Sequence, residues 1–152
     1  MPTRSAEAVW EGTLPHGKGT MSAAKGVCEG SYSFSSRFEE GPGTNPEELI
    51  GAALAGCYSM QFSLLLERAG YVLDKVHTVS SVHLNRVGGD FQITRIDLSV
   101  SAAVPGIDER TLWDQAARAK ETCPVSQALK GVEITLALRH IHQFETEGVG
   151  GR

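Results

Sequence analysis

The chain has 152 residues, of which 41% are hydrophobic and 21% are charged, and its formal net charge is −4. This length and composition predict one globular domain over residues 1–152, with a core of its own. The acidic balance gives no reason to expect nucleic acid or an anionic membrane as a partner. Three cysteines without a CxxC pair make neither a disulfide scaffold nor a zinc site. We therefore expect a cytoplasmic protein in which any disulfide is transient and catalytic.

The N-terminal part of the chain predicts a meander of three short strands. Polar alternation and glycine-rich joints indicate strands at 6–11, 17–23 and 31–38. Cys28 lies in a loop or at a strand start, with no helix terminus beside it. A free cysteine of this kind is ordinarily an inert small hydrophobe, and we expect that of Cys28.

A long helix is predicted next. Asn45 can cap it, Pro46 suits the first helical position, and Glu47 and Glu48 suit the positive end of the helix dipole. With Gly70 as its end, the helix has about 24 residues and is about 36 Å long. One subunit of this size would struggle to surround such a helix, and its many small residues favour close helix–helix contact. We therefore expect a homodimer.

The same stretch has the length of a membrane span. From Leu49 to Leu66, 18 residues carry no formal charge. Glycine and alanine nevertheless make the stretch only weakly hydrophobic, Ser59, Gln61 and Ser63 interrupt it, and its flanks show no basic bias. We expect a soluble helix that is buried on nearly every face, and no membrane partner.

The remaining chain predicts a hairpin, two helices and a final strand. The segments are strands at 75–87 and 91–104, helices at 109–122 and 124–130, a strand at 132–144 and a loose tail at 145–152. A Gly-Gly-Asp turn joins the first two strands. Asp108 can cap the first helix, and Pro124 interrupts it and opens the second.

Two cysteines lie where thiol chemistry is conceivable. Cys123 directly precedes Pro124, at the mouth of a helix, where the dipole and free N–H groups favour a thiolate. Cys57 lies about eleven residues into the long helix among apolar neighbours, where burial raises a thiol pKa. These local effects therefore predict that Cys123 has the lower pKa of the two thiols. It leaves open whether Cys57 is reactive or only packs in a core.

Metal and nucleotide sites are poorly supported. His140 and His142 form an HxH pair on one strand, but a third ligand at a recognisable spacing is missing. The sequence contains no GxGxxG, GxxxxGK[ST] or GxSxG motif. We expect neither a metal nor a bound cofactor.

Four segments carry a resemblance when they are taken together. They are SSRFEEGPG (35–43), GTNPEELIGAALAGCYSM (43–60), AVPGID (103–108) and AKETCPVSQALK (119–130). They resemble the OsmC/Ohr family, the osmotically inducible proteins C and organic hydroperoxide resistance proteins, and are more similar to the OsmC branch. The resemblance runs from about residue 8 to about residue 140. It implies an α+β fold and an intertwined homodimer with long central helices packed against outer, mainly antiparallel sheets.

The resemblance also implies a peroxidase without metal, haem or flavin. Such an enzyme reduces organic hydroperoxides and is itself reduced by an external dithiol. Carried over by position, Cys57 is the peroxidatic thiol, Cys123 is the resolving thiol, Arg37 is the catalytic arginine and Glu47 holds it. The resemblance therefore implies that Cys57 attacks the peroxide first, whereas the local effects favour Cys123 as the more acidic thiol.

The spacing of the site residues indicates whether a single subunit can form the whole site. Glu47 and Cys57 are ten residues apart, about 15 Å along one helix. We therefore expect the Arg37/Glu47 pair to reach Cys57 with the help of the partner subunit. Two other classes of function stay open at this point: a redox-regulated sensor, and a non-enzymatic dimeric binding module in which the cysteines only pack.

Overall fold

The structure is a computed structural model that describes residues 2–144. The predicted loose tail at 145–152 lies outside the described residues. The chain forms two compact units, the first ending at Ile50 and the second beginning at Gly51.

The first unit is a three-stranded antiparallel meander followed by a short helix. Its elements are β1 (Ala6–Glu11), β2 (Lys18–Ala23), β3 (Cys28–Tyr32) and α1 (Phe34–Phe38), with the strands in the order β1-β2-β3. The meander is therefore confirmed, but the predicted strand at 31–38 is wrong. The side chains of Ser33 and Ser36 form a reciprocal capping box, which satisfies backbone amides at a helix start and begins α1 directly after Ser33. Arg37 consequently lies on a helix.

Helix α2 (Pro46–Arg68) has the start that the sequence predicts. The side-chain oxygen of Asn45 accepts a hydrogen bond from the N–H of Glu48 at 2.8 Å. At the other end Gly70 adopts a φ of 92°, a conformation that favours glycine and lets the chain leave the helix.

The side chains of α2 divide into a buried and an exposed face. The buried large side chains are Leu54, Tyr58, Phe62, Leu65 and Leu66. Leu49, Met60 and Leu64 are exposed, Met60 by 78%. The expectation of burial on nearly every face is therefore wrong for a single chain, whose other elements cover only one side of this helix.

Helix α2 is long and apolar enough to cross a membrane by length and composition, and 33% of its apolar stretch is buried. Three of its polar side chains are used inside the second unit. Tyr58, Ser59 and Gln61 hydrogen-bond to Ala116, Thr78 and Thr122 respectively. These bonds are typical of the core helix of a folded unit.

The second unit continues with a sheet and two further helices. Its elements after α2 are β4 (Lys75–Val87), β5 (Asp90–Ala103), α3 (Glu109–Thr122), α4 (Pro124–Ala128) and β6 (Glu133–His140). The hairpin, the Asp108 cap and the proline-opened α4 are confirmed. The final strand ends at His140, four residues earlier than predicted. It pairs parallel to β5, because α3 and α4 return the chain to the same end of the sheet.

The core of the second unit brings α2 close to α3. Alternate residues of β5 are buried, and α3 buries one stripe; these side chains are Ile96, Leu98, Val100, Ala102, Leu112, Ala116 and Ala119. The buried hydroxyl of Tyr58 donates a hydrogen bond to the carbonyl of Ala116 at 3.0 Å. Because Cys57 precedes Tyr58 and Cys123 follows the last turn of α3, this packing places the two cysteines in the same region.

Candidate active site

Two cysteines of the second unit meet where α2 approaches the junction of α3 and α4. The Sγ of Cys123 lies 2.8 Å from the Sγ of Cys57, although the residues are 66 positions apart in the chain. Both thiols are free. At this separation only a small further approach of the sulfur atoms is needed when one of them is oxidised and a disulfide forms.

The two thiols differ in their access to solvent. Cys123 is completely buried, whereas Cys57 is partly exposed. Solvent therefore reaches part of Cys57 in the single chain, but none of Cys123.

The surroundings of Cys57 act on its pKa in opposite directions. Burial raises the pKa of the Cys57 thiol, and the hydrogen bond with Cys123 raises it further. A hydrogen bond from the backbone N–H of Val125 lowers it. Burial is the larger effect, so the pKa of the Cys57 thiol lies above its ordinary value in the single chain. The expectation that an apolar helix wall raises this pKa is confirmed.

The amide of Val125 makes a contact that the sequence does not predict. Free N–H groups at the start of α4 are expected to favour a thiolate at Cys123, and the amide of Val125 donates a hydrogen bond to Cys57. Pro124 occupies the first helical position and has no N–H, so the next amide is the first donor of this helix. The sequence contains that signal, but it cannot show which of two sulfur atoms the amide faces.

Two amide side chains hold the turn that carries Cys123. The Nε2 of Gln61 donates a hydrogen bond to the hydroxyl of Thr122 at 2.9 Å. The Nε2 of Gln127 donates to the carbonyl of Glu121. Neither glutamine was a candidate from the sequence, because glutamine has no characteristic spacing relative to a thiol. Their partners became evident only in the folded unit.

In the first unit, Arg37 and Glu47 form an ion pair. The Nη2 of Arg37 lies 2.7 Å from Oε1 of Glu47, and its Nε lies 3.1 Å and 3.3 Å from the two carboxylate oxygens. Glu47 is 7% exposed, and the side chain of Arg37 is 34% exposed. Two donors of one guanidinium on one carboxylate fix the orientation of its plane.

Short-range polar contacts explain why these two side chains meet. Arg37 lies in the last turn of α1, and Glu47 lies in the first turn of α2. The side-chain nitrogen of Asn45 donates to the carbonyl of Ser36 at 3.0 Å, which ties the start of α2 to α1. Asn45 also caps α2, so one residue connects both helices. The pair therefore forms within one chain.

The other candidates from the sequence lie apart from these contacts. Cys28 is exposed and is the first residue of β3. The rings of His140 and His142 have their centroids 5.7 Å apart. Among residues 2–144, no three side chains of histidine, cysteine, aspartate or glutamate are grouped closely enough to hold a metal ion.

Comparison with known families places this site in a defined context. Residues 39–137 match the model of the OsmC-like protein family, which is more than half of the chain. The chain belongs to the OsmC family. The matched segment contains Glu47, Cys57 and Cys123, and begins two residues after Arg37.

Two relatives show where the chain lies in this family. It is 48% identical over 134 residues to the peroxiredoxin OsmC of Escherichia coli, an alignment that covers 88% of this chain and 93% of that protein. It is 34% identical over 100 residues to an organic hydroperoxide resistance protein of Xanthomonas axonopodis, with 64% of this chain and 68% of that protein covered. The higher identity and coverage support membership of the OsmC branch.

Solved structures confirm the fold. The organic hydroperoxide resistance protein OhrB of Bacillus subtilis superposes with a TM-score of 0.72 at 23% identity, over 89% of this chain and 98% of that one. OsmC from Legionella pneumophila superposes with a TM-score of 0.68 at 23% identity, over 91% and 98% of the two chains. The α+β fold that the resemblance implied is therefore confirmed.

Proposed function

We propose that the protein is a cysteine-dependent peroxidase that reduces organic hydroperoxides to alcohols. The observation that carries this proposal is the 2.8 Å contact between the partly exposed Cys57 and the buried Cys123. The names of its relatives, a peroxiredoxin and an organic hydroperoxide resistance protein, support the same reaction class. No bound cofactor or metal takes part in the proposed reaction.

The proposed cycle has three steps. The thiolate of Cys57 attacks one peroxide oxygen, the O–O bond breaks, and the departing alkoxide takes a proton and leaves as the alcohol. Cys57 is then a sulfenic acid. The sulfur of Cys123 attacks it, a disulfide forms and the sulfenic oxygen leaves as water. An external dithiol reduces this disulfide through a mixed disulfide and becomes oxidised itself.

The assignment of roles follows from access and hydrogen bonding. Cys57 is the peroxidatic residue because it is the more exposed thiol and accepts the hydrogen bond of Val125. Cys123 is the resolving residue because its buried sulfur lies against that of Cys57. Cys28 has no role in the cycle. An apolar surface on α2 favours alkyl or aryl peroxides over hydrogen peroxide, which gains nothing from apolar contact.

Arg37 supplies the cation that the raised pKa of Cys57 requires. At an ordinary thiol pKa of about 8.5, only ~3% of the group is thiolate at neutral pH. From that ordinary value, full ionisation gains about 30-fold in rate, or ~2 kcal/mol. A peroxidase needs more than this, so Arg37 also stabilises the charge that develops on the peroxide oxygens. Glu47 orients the guanidinium for this purpose.

The complete site forms in a homodimer. Glu47 and Cys57 are ten residues apart on α2, and the Arg37–Glu47 pair forms within one chain. We infer that the pair of one subunit acts on Cys57 of the other. The exposed apolar side chains of α2, such as Met60 and Leu64, are the surface that the second subunit covers. The dependence on an external dithiol is compatible with a reducing compartment, the cytoplasm.

A turnover assay tests the proposed function. Wild type should consume an alkyl or aryl hydroperoxide continuously when a small dithiol is present. Cys57→Ser should abolish this consumption, and Cys28→Ser, the matched control at the exposed cysteine, should leave it unchanged. Oxidation of wild type that stops after one equivalent would indicate a sensor, and no oxidation at all would indicate a binding module.

A further inference from the structure

The contact between Gln61 and Thr122 joins the two segments that carry the reactive thiols. Gln61 lies one turn after Cys57 on α2, and therefore on the same face of that helix. Thr122 is the last residue of α3 and directly precedes Cys123. Two contacts thus connect α2 to the turn that carries Cys123: Gln61–Thr122 at 2.9 Å and Cys57–Cys123 at 2.8 Å. Along α2 these contacts lie one helical turn apart.

The polarity of this hydrogen bond is fixed by a second one. The hydroxyl of Thr122 donates its hydrogen to the carbonyl of Arg118 at 2.8 Å, so its lone pairs are left to accept. The amide nitrogen of Gln61 carries two hydrogens and is the donor. A side chain of the same length without a donor cannot replace Gln61 in this contact.

We propose that Gln61 is a positioning residue for the resolving step, which holds the Cys123 turn within attacking distance of oxidised Cys57. This inference rests on the proposed function and extends it to a residue outside the site described by the resemblance. When Cys57 becomes a sulfenic acid, an oxygen atom is added beside its sulfur. The turn must then stay close to α2 while the sulfur of Cys123 approaches the sulfur of Cys57 from the side opposite the new S–O bond. The Gln61–Thr122 bond opposes the separation of α2 from this turn.

The proposal separates two chemical steps. The first oxidation depends on the access and ionisation of Cys57, and the hydrogen bond of Gln61 is made to Thr122 and not to Cys57. The capture of the sulfenic acid by Cys123 depends on the position of the turn. If capture is slow, a second hydroperoxide oxidises the sulfenic acid to a sulfinic acid and is itself reduced to the alcohol, and the enzyme is inactivated.

The first part of the test uses peroxide. Gln61→Met preserves the side-chain length but removes the donor, and Thr122→Val preserves the shape but removes the acceptor. Each should leave kcat/KM for the hydroperoxide unchanged, slow disulfide formation about five-fold, the effect of one lost hydrogen bond, and increase the sulfinic product seen by intact mass. Thr122→Ser retains the hydroxyl and should restore the wild-type rate. Gln92→Met, at an exposed position of β5, is the matched control.

The second part of the test does not depend on peroxidase activity. In a Cys28→Ser background, an aromatic disulfide forms a mixed disulfide with Cys57 and releases one aryl thiolate. Attack by Cys123 then closes the protein disulfide and releases a second aryl thiolate, and the rate of this second phase measures resolution directly. Cys123→Ser should lack the second phase, and Gln61→Met should slow it about five-fold.

The outcomes distinguish this proposal from the proposed function. The double variant Gln61→Met/Thr122→Val should be no slower than Thr122→Val alone, because that variant already lacks the bond that Gln61→Met removes. Wild-type resolution rates in both single variants, or an equal slowing of the first oxidation, would overturn the positioning role. A wild type that consumes no peroxide would refute the proposed function instead, while the aromatic disulfide would still measure the contribution of Gln61.

Discussion

Cys57 combines partial exposure with a raised pKa, and these two properties oppose each other in catalysis. Exposure lets a peroxide reach the sulfur, whereas burial of part of the side chain disfavours the thiolate that must attack. The amide of Val125 offsets only part of this cost within the chain. In the proposed mechanism the guanidinium of Arg37, whose orientation Glu47 fixes, offsets the rest of this cost.

The first prediction concerns Arg37. Arg37→Ala should raise the pKa of Cys57 and slow the first oxidation at neutral pH, about tenfold for each unit of pKa. The pH profile of thiol alkylation in a Cys28→Ser background measures the pKa directly. Arg37→Lys should restore only part of the rate, because an ammonium cannot reproduce the paired contact with Glu47. Arg86→Ala, at an exposed arginine of β4, is the control, and an alkylation profile insensitive to Arg37→Ala would remove the electrostatic role.

Single residues differed in how far the sequence could predict their roles. Cys57, Cys123, Arg37 and Glu47 were predicted as site residues by resemblance, since their motifs are distinctive. Local physics favoured Cys123 as the more acidic thiol, because helix polarity can be seen in a sequence while the direction of one amide cannot. Val125 acts through its backbone N–H, which does not depend on the side chain, so the residue type carries no signal of this role.

At the scale of the elements, one carboxylate connects all three strands of the second sheet. Asp97 on β5 accepts a hydrogen bond from the Thr135 hydroxyl of β6 at 2.6 Å, and its other oxygen lies 2.7 Å from Nε2 of His83 on β4. The Nε of Arg95 donates a hydrogen bond to Oδ1 of Asp97 at 2.9 Å. The bond from Thr135 and then that with His83 lower the pKa of Asp97 to about 2. The ionised carboxylate therefore links the parallel and antiparallel edges of this sheet.

The second prediction is a pH dependence of stability. Because the folded pKa of Asp97 is depressed from 3.8, its ionised form stabilises the fold above that value. This contribution is lost as the pH falls toward 2. Asp97→Asn should therefore be less stable than wild type at neutral pH, and the difference should shrink by about pH 3. Urea unfolding at several pH values measures this. Asp114→Asn, at an exposed residue of α3, should show no such change; a pH-independent difference for Asp97→Asn would contradict the linkage.

The elements also show where sequence patterns are informative. Caps and prolines predicted the starts of α2, α3 and α4, because the backbone groups they satisfy are local. The same chemistry was overlooked at Ser33, where a serine-rich segment was interpreted as a strand. The parallel pairing of β6 and the exposed face of α2 depend on tertiary and quaternary contacts, which no local pattern records.

At the scale of the whole molecule, the ion pair and the thiol pair lie in separate compact units. Arg37 and Glu47 belong to the first unit, and Cys57 and Cys123 belong to the second. An exposed apolar face on α2 is the kind of surface that a second subunit covers. Activity should therefore depend on association, and a folded monomer should be nearly inactive.

The third prediction is complementation between inactive subunits. Cys57→Ser chains retain the Arg37–Glu47 pair, and Glu47→Ala chains retain both thiols. If the pair acts across the interface, random mixing should recover about a quarter of wild-type activity, because half of the dimers are mixed and each has one complete site. The control mixes Cys57→Ser chains with Cys123→Ser chains, because every site then lacks one of its two thiols. An absence of recovery after verified subunit exchange would show that the pair serves its own chain.

The central claim is that Cys57 is oxidised first and Cys123 captures it, and a single-turnover experiment tests this most directly. One equivalent of an organic hydroperoxide is added to reduced protein in a Cys28→Ser background, and the products are identified by intact mass and by a sulfenic-acid trap. We expect a Cys57–Cys123 disulfide in the otherwise wild-type chain, a trapped sulfenic acid on Cys57 in Cys123→Ser, and unconsumed peroxide in Cys57→Ser. Peroxide consumption by Cys57→Ser, with none by Cys123→Ser, would reverse the roles and contradict the account.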